Sequence, residues 1–210
     1  KSELRGSVMI RRLKAEVLPY LPRKRRQIIE LPKESGVVDD ELGLFRGHEE
    51  NLLHLRIALE AAAMADDQKA FKTAARELEK GVTTAFNKMA QVRLKTAEAK
   101  LPVGILHLEE LIAAGEKVVC FAHHRGIQSK LKAHFGAQAA SLDGDMKSEE
   151  RQENIDRFQG DKDTRLIIVS LAAGGTGINL TAATGVVFFE LSWNPSVMLQ
   201  AEDRAHRIGP

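Results

Sequence analysis

Arg204 and Arg207 stand three residues apart near the end of the chain, with Gln200 one helical turn before them. At 100° per residue, Gln200, Asp203, Arg204 and Arg207 share one face of a helix. Met198, Ala201, Ala205 and Ile208 share the opposite, apolar face. Guanidinium groups keep their charge and present fixed donor forks that match phosphate oxygens. Two of them aimed the same way can stabilise charge developing in phosphoryl transfer, an effect worth roughly three to five orders of magnitude in rate for arginine fingers acting in trans. On spacing alone, the same face also fits a solvated salt-bridge helix in which Asp203 pairs with Arg207.

A second candidate lies upstream, in Ser170-Leu171-Ala172-Ala173-Gly174-Gly175-Thr176-Gly177-Ile178-Asn179-Leu180. Three glycines within four positions let backbone amides approach a phosphate closely, whether of a nucleotide or of a nucleic-acid backbone. They equally suit a tight turn packed with small residues. The segment is not a nucleotide-binding P-loop, because no lysine followed by Ser or Thr closes it. The single cysteine, Cys120, excludes an intramolecular disulfide framework and any multi-cysteine zinc site, and points to a reducing compartment. Set in Val118-Val119-Cys120-Phe121, it reads as a buried strand residue rather than a nucleophile. His48, His54, His107 and His134 show no metal-like spacing with carboxylates.

These residues need elements to hold them. Asn194-Pro195 is a strong helix start, asparagine as N-cap and proline at the first helical position, and opens the helix that carries Gln200 and the arginines. From residue 103 onward strand and helix alternate. The expected strands cover 117–122, 139–142, 166–170 and 185–190. The first, third and fourth are nearly continuous apolar runs, as in parallel strands covered on both faces. Helices are expected over 126–135 and 147–159. The alternation predicts an α/β fold with a parallel sheet. Ligands of such sheets bind beyond the carboxyl ends of the strands, where Ser170 and the glycines would lie.

Between Pro32 and Pro102 there is no proline, and the apolar spacing is helical. Leu52, Leu55, Leu59 and Ala62 form one face. Phe71, Ala75, Leu78, Val82, Ala85, Met89 and Val92 form another, with Gly81 as its weak point. The pattern predicts a helical hairpin over 49–65 and 69–97, preceded by a loop over 34–48, and its seam suits internal packing more than an oligomer interface. Before it, a helix over 8–18 and a strand over 27–31, closed by Pro32, are expected.

The chain has 210 residues, with 43% hydrophobic and 29% charged residues, the profile of a globular protein. No window approaches the ~18 consecutive apolar residues of a membrane span. The first residues lack a signal-peptide core and an initiator Met, as expected of a piece of a longer protein. Net charge is only +2, but residues 1–33 hold ten Lys/Arg against three Glu. That cluster, around Arg11-Arg12 and Arg23-Lys24-Arg25-Arg26, suits either a phosphate-facing patch or a solvated surface.

Order and context add to this reading. The run Leu142-Asp143-Gly144-Asp145-Met146-Lys147-Ser148-Glu149-Glu150-Arg151 is followed by Ile167-Ile168-Val169-Ser170 with the glycine segment, then Trp193-Asn194-Pro195. Gln200-Ala201-Glu202-Asp203-Arg204-Ala205-His206-Arg207-Ile208-Gly209 closes the series. Together these closely resemble the second RecA-like lobe of Swi/Snf-type ATPases of helicase superfamily 2. The opening Met9-Ile10-Arg11-Arg12-Leu13-Lys14-Ala15-Glu16-Val17-Leu18 and the strand end Phe121-Ala122-His123-His124 place the resemblance nearest the fork-remodelling, strand-annealing branch.

The resemblance implies a RecA-like parallel sheet flanked by helices with an inserted helical protrusion. It also implies a division into a basic lead-in over 1–33, a loop and hairpin insertion over 34–100, and the helicase lobe over 101–210. Arg204 and Arg207 match the paired arginines that reach the γ-phosphate of ATP, and Gln200 matches the glutamine opening the same motif. Gly175 and Gly177 match the glycine motif between nucleotide and DNA. Gly144, Ser148 and Arg151 match a motif whose loop touches the DNA backbone; Ser148 also suits an N-cap. Ser170 and Arg125, at strand ends, are further phosphate-contact candidates. Trp193 matches an aromatic near the cleft, or fills core.

ATP and Mg2+ would be bound mainly by a first lobe that this sequence lacks, since it carries neither a P-loop nor an acidic DEAH-like box. The piece is therefore expected to hydrolyse no ATP alone. Expected partners are double-stranded or forked DNA, the first ATPase lobe of the same chain, and proteins docking on the hairpin, with no membrane. Bacterial cytoplasm and eukaryotic nucleus both fit. A non-motor nucleic-acid-binding module and a partner-docking scaffold are the alternative readings.

Overall fold

A computed structural model describes residues 21, 24–30, 37–65, 67–171, 178–192 and 194–206. The expected helix over 8–18, Gly175, Gly177, Trp193 and Arg207 lie outside them.

Two long helices come first, α1 (Val37–Met64) and α2 (Gln68–Ala113). Asp67 caps α2, its side chain accepting from the amides of Lys69 and Ala70 at 2.9 and 3.0 Å. Along α1 the predicted face holds: Leu52, Leu55, Leu59 and Ala62 are the half-buried positions after His48. On α2 the expected seam holds at Ala75, Leu78, Ala85, Met89 and Val92, but not at Phe71 and Val82. Gly81 faces α1, where an added Cβ would lie 2.6 Å from Leu55 Cδ1, while Val82 is turned out at 47% exposure. The expected weak point is thus the point of close approach, because glycine is the residue that lets two helices come nearest.

Both helices are longer than expected. Residues 37–48 join α1 instead of forming a loop: Gly43 and Gly47 each cost about 1 kcal/mol against alanine, which weakens a helix without ending it. The second helix runs through Pro102, whose missing N–H forfeits one ladder bond. Packing outweighs that loss. Leu94, Ala97, Leu101, Ile105, Leu108 and Ile112, spaced by three and four, lie against the sheet.

The sheet follows the expected alternation: β1 (Val118–Ala122), α3 (Arg125–Phe135), β2 (Ala139–Leu142), α4 (Ser148–Gly160), β3 (Leu166–Ser170), β4 (Gly185–Phe188) and α5 (Pro195–Ala205). Its order is β2-β3-β1-β4, with every neighbouring pair parallel. This is a helix-flanked parallel sheet, as the resemblance implies. Successive strand residues alternate between two apolar layers. Val118, Cys120 and Ala122 meet α2 and α3, whereas Val119 and Phe121 meet Phe158 of α4 and Ala201 of α5. Cys120 is fully buried, and burial pushes its thiol up to about 12, as suits an unreactive core residue.

One expected strand does not form. Over its described part, residues 27–30, the chain takes no regular structure, and Ile28 is 90% exposed. A strand needs a neighbour for its backbone groups, and residues 27–30 are exposed.

Candidate functional site

The carboxyl ends of the strands gather one set of candidates. Ala122 of β1 is the register partner of Ser170 of β3, so the loop that starts at His123 and the end of β3 lie side by side. Beyond β2, the Asp143 carboxylate accepts from the Asp145 amide at 3.1 Å and shapes a turn around Gly144. An added Cβ at Gly144 would meet nothing within 4 Å, so its flank is open. Arg125, opening α3, bridges to Asp145 at 2.6 Å, with both side chains well exposed. Ser148 is exposed at the start of α4 but does not cap it. Lys147 occupies the N-cap with no side-chain cap bond, and Ser148 is already helical. Arg151 is half-buried one turn further on.

The second set rides on α5. Asn194 caps it as expected, its Oδ1 accepting from the Ser196 amide at 3.0 Å. Ala201 is buried in the sheet layer and Gln200 is exposed, as the spacing predicts, while Met198, Asp203, Arg204 and Ala205 are all half-buried. The Arg204 carbonyl accepts from the Leu180 amide at 3.0 Å, tying the end of α5 to the chain that leaves the glycine segment. The Arg204 backbone therefore sits beside Leu180.

Sequence reasoning missed the group that braces these loops. β4 ends two residues earlier than expected, and the amides of Phe189 and Glu190 converge on the Phe121 carbonyl. The bend turns the Glu190 carboxylate, 4% exposed, toward the loop after β1. Its Oε2 accepts from the amides of His123 and His124 at 2.8 and 2.9 Å, and its Oε1 meets His124 Nδ1. Helix α2 reaches the same bend: Arg93 donates to the Leu191 carbonyl and Lys100 to that of Phe189. Burial and the neighbouring His124 lower the pKa of His123. The one available signal was a glutamate directly after the apolar run Val186–Phe189, where a strand end would point to solvent.

Also missed was the destination of the basic cluster. Lys24 Nζ lies 2.7 Å from Asp203 Oδ1 and 3.2 Å from Glu202 Oε2, and Arg26 grips Glu202 with two nitrogens at 2.9 and 2.7 Å. Asp203 is thus engaged by Lys24; Arg207, the partner that spacing alone suggested, lies outside the described residues.

Among the described residues no group of three or more His, Cys, Asp or Glu gathers in a way that could hold a metal ion.

Residues 104–209 match the family model described as helicase conserved C-terminal domain. Over 98% of its length the chain is 33% identical to the SWI/SNF-related matrix-associated actin-dependent regulator of chromatin subfamily A-like protein 1 of Xenopus laevis, covering 19% of that protein. It is 35% identical, over 99% of its length, to the DNA annealing helicase and endonuclease ZRANB3 of Mus musculus, covering 18% of it. A solved Sulfolobus solfataricus SWI2/SNF2 ATPase C-terminal domain aligns over 75% of this chain and 70% of its own, at 22% identity and a TM-score of 0.43. The chain spans about a fifth of the length of the two curated relatives.

Proposed function

Because the chain belongs to the helicase conserved C-terminal domain family, we propose that it serves as the second motor lobe of an ATP-dependent translocase on double-stranded or forked DNA. The division proposed is a basic lead-in over 1–33, a loop and helical hairpin over 34–100, and the motor lobe over 101–210, with α2 reaching across the last boundary.

The observation that carries this reading is the presentation of α5. Its inner face is anchored by Ala201, its end is tied to Leu180, Gln200 is exposed and Arg204 is half-buried one turn on. ATP held mainly by a first lobe supplies the bond to be hydrolysed. Arg204, together with Arg207, would place positive charge at the γ-phosphate as the lobes close, and Gln200 would orient it. The donors here fit the anionic end of the nucleotide; Mg2+ would be held by the first lobe. Arg125, Gly144, Ser148, Arg151 and Ser170 would meet the DNA backbone. Such contacts position a motor without reading sequence. Gly175 and Gly177 would lie between the two sites. On its own the lobe would not turn over ATP. The two curated relatives compared are eukaryotic, so the nucleus is the compartment we assign.

The test is Arg204→Ala in the full-length parent. DNA-stimulated ATP hydrolysis should fall by about three orders of magnitude while duplex binding persists. Unchanged turnover would overturn the assignment.

A further inference from the structure

Helix α5 is held on two sides, and the second hold comes from the opposite end of the sequence. One stripe, through Ala201 and the Arg204 carbonyl, fastens the helix to the sheet layer. A helix fastened along a single stripe can still roll about its axis. Glu202 and Asp203 project about 100° and 200° around the helix from Ala201, and both are gripped by Lys24 and Arg26. The contact is a network rather than an isolated surface pair. Arg26 engages Glu202 through a two-nitrogen fork, Lys24 spans both carboxylates, and the Glu202 side chain retains only 14% of its exposure.

The sequence of α5 makes this arrangement costly unless it has a purpose. Two carboxylates in the last turn of a helix oppose its dipole, where cations are the favourable choice. Lys24 and Arg26 supply the missing positive charge from outside. Arg204 is the very next residue, so whatever fixes the rotation of Glu202 and Asp203 fixes the direction of Arg204. With side chains included, a helix has a radius of about 5–6 Å, so a roll of about 10° moves a side-chain head by about 1 Å. Misplacement on that scale can cost about two orders of magnitude in rate.

We propose that Lys24 and Arg26 are positioning residues for phosphoryl transfer: paired with Glu202 and Asp203, they lock the rotation of α5 and so aim Arg204. The inference rests on the arginine-finger reading and assigns the basic lead-in a task in the motor site. The Arg26 hydrogen bond also holds the Glu202 carboxyl below its usual range, so the latch stays charged throughout neutral pH.

The experiment uses the full-length parent with Arg26→Glu, Glu202→Arg, the two combined, and Glu202→Gln as a milder break that keeps the side-chain shape. Arg204→Ala is measured alongside. For each, kcat of DNA-stimulated ATP hydrolysis is compared with the ratio of affinities for ADP–aluminium fluoride and for ADP. This ratio reads how well the transition state is met among folded molecules. Each single latch variant should lose about tenfold in kcat and a comparable factor in the ratio, and the combined swap should return to within about threefold of the parent. If Arg204→Ala is inactive while the latch variants keep full kcat, the latch is wrong and the arginine assignment stands. If Arg204→Ala is itself unaffected, both fall. A loss of kcat with an unchanged ratio, or a swap that fails to rescue, would mean a merely structural contact and overturn the proposal. Should the reversals not fold, Glu202→Gln decides on the same two readouts.

Discussion

The hairpin and the sheet lobe share one helix, α2, and treat it in opposite ways. In the sheet lobe, all five residues of β1 are fully buried, and α2 covers one face of the sheet with Ala97 and Leu108. In the hairpin, none of the described side chains of α1 is fully buried, and only Ala85 and Val92 of the facing part of α2 are. Leu53, Ile57 and Phe86 remain 57, 54 and 69% exposed. A sheet between two helix layers buries residues on both faces, whereas two antiparallel helices share a single seam. The lobe can therefore hold a catalytic geometry, while the hairpin contributes reach and surface.

Substitutions of matched size should expose that contrast. Phe158→Ala, in the layer beneath α4, should cost about 3–5 kcal/mol, and Phe86→Ala on the hairpin about 0.5 kcal/mol or less, both read by chemical denaturation. Equal losses would mean that the hairpin is packed as tightly as the sheet.

The two inward-facing glycines of α2 sharpen the comparison within one element. A Cβ at Gly104 would overlap the ring of Phe189, with Cζ at 3.0 Å and Cδ2 at 3.2 Å, inside a layer with no room to yield. Gly104→Ala should therefore destabilise by about 1–3 kcal/mol. At Gly81 the obstacle is the far end of the Leu55 side chain, which can rotate toward solvent, and alanine gains about 1 kcal/mol of helix propensity. Gly81→Ala should stay within about 1 kcal/mol of the parent in the same denaturation measurement.

The smallest effect concerns pH. His123 has its pKa lowered below the ordinary 6.5 by burial first and by His124 second, against the pull of Glu190. The unfolded chain then takes up a proton before the folded one does, so stability contributed by this site declines as pH falls through about 6.5. Denaturation between about pH 7.5 and 5.5 should show a slight loss of stability that His123→Gln removes.

How much of this was readable in advance differs by region for the same reason. Strands β1 and β3 were legible because parallel strands covered on both faces require unbroken apolar runs. Helix α5 was legible because Asn194 and Pro195 satisfy and pre-set its first turn. The passage of α2 through Pro102 was not, since proline argues locally for an end, and only the row from Leu94 to Ile112 against the sheet outweighs it. The lead-in strand failed for the mirror reason: local propensity was present, but no neighbouring strand was.

By itself the sequence determined the order of strands and helices, the start of α5 and the family to which the chain belongs, because each depends on residues close together in the chain. Tertiary structure alone decided that Glu190 folds back to brace the His123-His124 amides, that Gly81 rather than Val82 meets α1, and that Lys24 and Arg26 close on Glu202 and Asp203. Charge pairing carries no periodicity and no fixed separation. Its partners, here more than 170 residues apart, become definite only when packing has brought the two segments within reach.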